Sequence, residues 1–318
     1  MNESISGIHH VTAIATDPQR NLDFYTGVLG LRLVKKTVNF DDPGTYHFYF
    51  GDGLGRPGTI LTFFPWPAAR RGSRGSGQAT VTSFSVPEGS LGFWSERLGK
   101  LGVVAEEPKP RFEEEALAFY DPDGLKLELV AHAEGAGGEP WDGAAVPAEH
   151  AIRGFHSVTL AERSLDGTAQ LLADTMGLRS AGERDNRYRF AAGGGAVGRR
   201  VDVLHTPGTG FGTIAAGTVH HVAWRVLDDR SQAAWRERLE GEGLHPTGVK
   251  DRQYFKSIYF REPGGVLFEL ATDPPGFTRD EDPDRLGTHL KLPPWLESHR
   301  DGIERVLPPV TVAAEDRG

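Results

Sequence analysis

The chain has 318 residues, 38% hydrophobic and 25% charged, with a net charge of -9, which suits a globular protein with one large core or two ordinary ones. No basic stripe relieves the acidic balance, so neither nucleic acid nor an anionic membrane surface is the expected partner. Cysteine is absent, which excludes disulfides, thiolate nucleophiles and cysteine-held zinc or iron–sulfur centres; any metal must be held by His and carboxylate.

No apolar run approaches the roughly 20 residues a bilayer span needs, and the polar start MNESISG does not read as a signal peptide, so the expected location is the cytoplasm. Residues 8–14 alternate as a strand. Asp17 and Pro18 then supply an N-cap and a proline at the first helical position, and 21–28 carry a helical apolar pattern closed by Gly27 and Gly30. Strand-like runs follow at 31–39, 46–51 and 59–65. A second unit starts near Thr80, has a helix over about 90–101, and closes on 124–129. A third runs from Gly154 through a helix over about 167–176 to 200–204. A fourth runs from Val219 through a helix over about 231–241 to Ala271.

Each unit reads strand–helix–three strands over roughly 50–60 residues, a period of module size. Pro122-Asp123-Gly124 leads into Glu128 as Pro263-Gly264-Gly265 leads into Glu269, both as tight turns between alternating strands. The expected class is α+β, with four βαβββ modules forming two open barrels. An N-terminal pair occupies 1–135 (modules about 7–66 and 79–132), a Gly/Ala/Pro-rich linker 136–152, and a C-terminal pair 153–273 (modules about 153–206 and 217–273). The acidic, proline-rich 274–318 reads as a tail packed on the body.

Two histidine pairs, His9-His10 and His220-His221, open the first and fourth units. Side chains alternate faces along a strand, so register decides which residues meet. Val222, Trp224 and Val226 form an apolar packing row that includes His220 by parity, leaving His221 on the opposite, concave face. Glu269 shares that face with Leu267, and His10 faces it with Thr12 and Ile14 while His9 falls toward packing. Two imidazoles and one carboxylate on strands compose a facial triad that leaves metal positions open for substrate and dioxygen.

The candidate metal ligands are therefore His10, His221 and Glu269. They require the first and fourth units to share one cup, with His10 and His221 ring nitrogens within about 5 Å given metal–nitrogen bonds near 2.1 Å. His156 matches His9 rather than His10 and is excluded; Ser157 stands at the His10 position. Glu128 and Asp202 occupy the Glu269 register without a matching histidine and read as remnants of duplication. His47, His205 and His289 read as structural or surface groups. Gly193-Gly194-Gly195 reads as a hairpin turn, and the Arg70–Arg74 run as a solvated loop with substrate steering as a minor role.

The modular repeat, the His-His pairs, the Glu269 strand and the run Arg252-Gln253-Tyr254-Phe255-Lys256-Ser257-Ile258-Tyr259 resemble the vicinal oxygen chelate superfamily, and within it the hydroquinone-type ring-cleaving dioxygenases. The resemblance covers nearly the whole chain, including Gly276-Phe277-Thr278 and Asp280-Glu281-Asp282. It implies a glyoxalase-like fold, Fe(II) or Mn(II) on His10, His221 and Glu269, and a small aromatic substrate with O2 as partners, in a chain free to form a homo-oligomer. It also implies His9, Thr12, Arg252 and Tyr259 as substrate-contacting positions, with catalytic roles for Tyr259, Arg252 and His220. Arg252 would offset developing anionic charge and Tyr259 would donate a hydrogen bond or proton. The competing activities are a metal-dependent glyoxalase-like isomerase or lyase, and a non-catalytic aromatic-binding or resistance protein. Thr62 stands where such an isomerase usually has a second carboxylate, which disfavours the former.

Overall fold

The structure is a computed structural model describing residues 5–136, 138–193 and 198–312. The first module comprises β1 (Ile8–Ala15), α1 (Pro18–Asp23), β2 (Arg32–Asn39), β3 (Asp42–Gly51) and β4 (Ile60–Pro65). Asp17 caps α1 by accepting from the Arg20 amide at 2.8 Å, with Pro18 in the first turn, and α1 continues into a π-turn over Phe24–Val28. The second comprises β5 (Gln78–Pro87), α2 (Leu91–Lys100), β6 (Lys109–Arg111), β7 (Glu114–Tyr120) and β8 (Lys126–His132). The third comprises β9 (Phe155–Glu162), α3 (Asp166–Gln170), β10 (Arg179–Arg184), β11 (Arg187–Ala191) and β12 (Arg200–His205). The fourth comprises β13 (Val219–Val226), α4 (Asp229–Gly241), β14 (Lys250–Asp251), β15 (Lys256–Arg261) and β16 (Leu267–Thr272). Gly194 and Gly195 of the glycine run lie outside the described residues. Among the described residues no helix is long and apolar enough to cross a membrane.

The modules do not pair as sequence neighbours. One eight-stranded sheet runs β14-β15-β16-β13-β1-β4-β3-β2 and joins the fourth module to the first; the other runs β10-β11-β12-β9-β5-β8-β7-β6 and joins the third to the second. The seam of the first sheet is the antiparallel β1–β13 pair, with Val11 opposite Val222 and Thr12 opposite His221. This pair carries two register shifts. Ile8 faces Trp224 while His10 faces Ala223, leaving His9 as the extra residue, and Thr12 faces His221 while Ala13 faces Val219, leaving His220 extra. Both leading histidines are thus bulge residues, and a bulge re-aims the side chain it carries. The β5–β9 seam repeats the pattern, with shifts at Ala79/Val81 and Ser83/Phe84.

The loops that join the paired modules are also tied. The Arg70–Arg74 run, read from sequence as a solvated loop, lies in a connector bonded to the second connector through Gly72 N to Ala216 O (2.9 Å), Thr213 N to Ser73 O (2.9 Å) and Ser76 N to Gly210 O (2.9 Å). The connectors cross at glycines: a Cβ on Gly75 would stand 2.3 Å from the Gly212 nitrogen, so only glycine admits the contact.

The second cup holds charge in place of a triad. Glu128 lies at the Glu269 register but is clamped by both terminal nitrogens of Arg111 and by Ser83 (2.7 Å), and Asp202 is clamped by Arg187 (2.9 Å) and Arg189 (2.7 Å). His156 sits in this network on the second sheet, bonded to Ser157 (3.0 Å) and Glu114 (2.9 Å). Glu114, Glu128 and Asp202 persist there as carboxylates because each has a guanidinium or imidazole partner. Burial alone would raise the pKa of Glu114, but the His156 hydrogen bond and the Arg189 guanidinium outweigh it and hold it at about 2 against an ordinary 4.5. A depressed carboxyl pKa contributes stability above the unfolded value that is lost as pH falls through the folded value. Urea denaturation against pH should therefore show stability falling between pH 4.5 and about 2, and Glu114→Gln should flatten that limb. An unchanged acid limb would remove Glu114 from the account.

Candidate metal centre

β1, β13 and β16 lie side by side and carry His10, His221 and Glu269 to one point. Their ligand-type atoms form a triangle: His10 Nε2 to His221 Nε2 is 3.3 Å, His10 Nε2 to Glu269 Oε2 is 3.3 Å, and His221 Nε2 to Glu269 Oε2 is 2.9 Å. Adjacent octahedral ligands at about 2.1 Å from a cation stand about 3.0 Å apart, so the triangle has the size of one face of such a shell. Among the described residues this is the group of His, Asp and Glu side chains close enough to hold one ion. All three are buried. Glu269 Oε2 accepts no well-formed protein hydrogen bond, while Oε1 takes one from Ser257 Oγ. A fully buried carboxylate oxygen aimed between two imidazole nitrogens fits a cation and fits little else.

The bulges explain the doubled histidines. His9 Nδ1 lies 2.9 Å from His10 Nδ1, and His220 Nδ1 lies 2.8 Å from His221 Nδ1. Burial, then the neighbouring His10, pushes the His9 pKa well down, and burial with His221 brings His220 to about 3. A cation held on Nε2 of the following histidine would leave the proton on its Nδ1, and the leading ring stands where it can accept that N–H. This fixes the following ring as the tautomer whose Nε2 lone pair faces the triad, the service an outer partner performs for a ligating imidazole. Burial alone would raise the Glu269 pKa, but His10 and His221 outweigh it and hold the carboxyl well below its ordinary range.

Above the triad opens a cavity of about 170 Å³, walled on one side by His10, His220, His221, Arg252, Phe255 and Tyr259. A cavity of about 150 Å³ admits a benzene ring, so this one is of monocyclic aromatic size. His47, Tyr49, Phe64 and Trp66 complete the lining. Arg252 donates from Nε to the Tyr259 hydroxyl at 3.1 Å and pairs with Asp41 at 2.9 Å, joining the fourth module to the β2–β3 turn of the first at the cavity rim. Burial, then Glu269, pushes the Tyr259 pKa up, so the phenol keeps its proton at neutral pH.

Two of the contacts implied by the resemblance stand apart from the residues that line the cavity. His9 and Thr12 do not line the cavity: His9 is packed behind His10 against Phe255, and Thr12 is fully buried and bonded to Thr62 at 2.9 Å. His220, assigned by parity to packing, lies on the wall because the bulge turns it there. His47 was taken for a structural or surface group, yet it is a wall residue, bonded to Thr62 (2.8 Å) and Tyr49 (2.9 Å). The alternation that singles out His10 holds for it too: Tyr46, Phe48 and Phe50 enter the core, leaving His47 and Tyr49 on the concave face. His205 is half-buried on the second sheet and His289 is exposed.

Residues 7–129 and 154–270 match the Glyoxalase/Bleomycin resistance protein/Dioxygenase superfamily, and the chain belongs to it. It is 49% identical to MhqO of Bacillus subtilis (strain 168), named as a candidate ring-cleaving dioxygenase, over 99% of this chain and 100% of that protein. It is 39% identical to a chlorohydroquinone/hydroquinone 1,2-dioxygenase of Sphingobium indicum, over 96% of this chain and 97% of that one. A crystal structure of a candidate dioxygenase from Bacillus subtilis superposes with a TM-score of 0.93 at 49% identity, covering 98% and 99% of the two chains.

The cavity wall is braced by the tail. Lys35, wholly buried, pairs with Asp280 (2.6 Å) and Glu281, and its ammonium lies 4.8 Å from the ring centre of Tyr254, which donates to Asp280 at 3.0 Å. Removing one partner of such a cluster strands the others without compensation. Lys35→Ala should cost about 3–5 kcal/mol in urea denaturation. A loss under about 1 kcal/mol would show that water replaces the ammonium.

Proposed function

We propose that the protein is a metal-dependent, extradiol-type ring-cleaving dioxygenase whose substrates are a hydroquinone or closely related phenol and O2. The observation that carries this reading is the His10–His221–Glu269 triangle at the floor of an aromatic-lined cavity, in a chain alike over nearly its full length to a hydroquinone 1,2-dioxygenase. Fe(II) is the proposed cation, held by His10 Nε2, His221 Nε2 and Glu269; Mn(II) satisfies the same donors. When bound, it supplies a Lewis-acidic, redox-active centre with open positions for the phenol and O2.

The chain's own residues do the rest. His9 and His220 keep the two ligating rings in their metal-facing tautomers. The apolar side chains of Phe64, Trp66 and Phe255 in the lining orient the ring and exclude water, turning an encounter of two reactants into a local event. Arg252 places a permanent positive charge beside a phenol that loses its proton, and the Asp41 pair keeps it there. Tyr259, protonated by virtue of burial and held by Arg252, is the proton donor facing the reacting ring. A glyoxalase-like isomerase is disfavoured because Thr62, the counterpart of Glu269 in the first module, offers a hydroxyl already engaged by His47 and Thr12.

Protein loaded anaerobically with Fe(II) should consume oxygen on addition of hydroquinone or methylhydroquinone with loss of the aromatic absorbance. Glu269→Gln should weaken metal binding at least about 100-fold. No uptake with any of hydroquinone, methylhydroquinone or catechol would overturn the activity. Tyr259→Phe should lower kcat about 100-fold while KM moves less than about threefold. Equal changes in both parameters would make Tyr259 a binding group instead.

A further inference from the structure

The first sheet has an internal two-fold likeness about the β1–β13 seam, and it relates two tyrosines. In the fourth module Ala223, Glu269 and Tyr259 stand opposite one another across β13, β16 and β15. In the first module Thr12, Thr62 and Tyr49 do so across β1, β4 and β3. Two residues before each tyrosine stands the group that holds the central side chain: Ser257 donates to Glu269, and His47 Nε2 meets Thr62 Oγ1 at 2.8 Å. Tyr259 and Tyr49 thus both line the cavity, the one tied to Arg252 and the other to His47.

Tyr49, His47, Thr62 and Thr12 form one hydrogen-bonded chain with links of 2.9, 2.8 and 2.9 Å, ending at a fully buried threonine. A neutral imidazole has one N–H and one lone pair, so the chain has two directions. In one, Tyr49 donates to His47 Nδ1 and keeps lone pairs for a ligand; in the other it accepts from Nδ1 and its own proton is free. Either way Tyr49 can meet a ring hydroxyl, which both donates and accepts. Phe255 spans the wall between the two polar groups, its ring centre 4.9 Å from that of His10 and 6.4 Å from that of Tyr49. A substrate ring laid along Phe255 with one oxygen at the triad directs its far end toward Tyr49.

We propose that Tyr49 is a substrate-binding group that receives the ring oxygen remote from the triad, that His47 is the positioning residue that aims it, and that this arm makes the cavity select rings oxygenated at both ends. The proposal rests on the reading of the cavity as a phenol site and names what that site discriminates.

The test is anaerobic calorimetric titration of the Fe(II)-loaded protein with hydroquinone and with p-cresol, which puts a methyl group where the second hydroxyl stands. Wild type should bind hydroquinone about tenfold more tightly than p-cresol, the worth of one buried hydrogen bond. Tyr49→Phe keeps the ring and its packing; it should remove that preference, leaving p-cresol affinity unchanged. His47→Leu should give the same loss, and the double variant no further loss, since the two act as one unit. In wild type labelled at the tyrosine Cζ carbons, hydroquinone should shift one further resonance that p-cresol leaves in place, a readout needing no variant. Absence of a wild-type preference, or equal loss of both ligands in Tyr49→Phe, overturns the proposal. Selective binding without oxygen uptake would remove the dioxygenase activity and leave this arm standing; uptake without a Tyr49 effect on binding would do the reverse.

Discussion

The site depends on a strand pairing between opposite ends of the chain. β1 and β13 are more than 200 residues apart, 219 − 8 = 211 from start to start, yet their antiparallel seam places His10 Nε2 3.3 Å from His221 Nε2. Loop-closure entropy grows only slowly with length, so the distance costs little more than a shorter one would. The return is a buried apolar row through Val11, Val222 and Trp224, which specifies register because a one-residue slip would turn the row to the wrong face. The bulges in that seam are as necessary as the seam. Without an extra residue at His9 and at His220, each leading ring would follow the packing row and could not meet the Nδ1 of the histidine behind it.

The two sheets answer the same geometric problem differently. Each brings acidic side chains to the centre of a curled surface away from water, where an unpaired carboxylate is untenable. In the second sheet Arg111, Arg187 and Arg189 neutralise Glu128 and Asp202 from within. In the first, Glu269 has Ser257 on one oxygen and two imidazoles near the other. The same register position is structural where the chain supplies its own cation and chemical where the cation must come from outside. The Glu128 and Asp202 positions are therefore working ion pairs that hold the second sheet together.

Much of the site was readable before any coordinates because strand alternation has a period of two and tolerates no ambiguity once an apolar row is identified. That reasoning reached His10, His221 and Glu269 and implied that first and fourth modules share a sheet. It failed wherever alternation breaks. His220 left its row at a bulge, and nothing in Val219-His220-His221-Val222 marks one. The resemblance implied His9 and Thr12 against substrate, whereas parity placed His9 toward packing; both are buried and absent from the cavity lining. His47 was passed over because it stands alone, although its alternation with Tyr46 and Phe48 carried the same information.

Composition, module period and side-chain parity by themselves determined the class of fold, the donor chemistry open to a cysteine-free chain and the residues able to face a common point. These are local properties, set by residue type and spacing along a single strand. Tertiary structure alone decided which leading histidine turns inward, how deep each side chain lies, and that Tyr49 and Tyr259 line one cavity. Those depend on register between strands distant in sequence, where one inserted residue changes the direction of a side chain without leaving a mark in the sequence pattern.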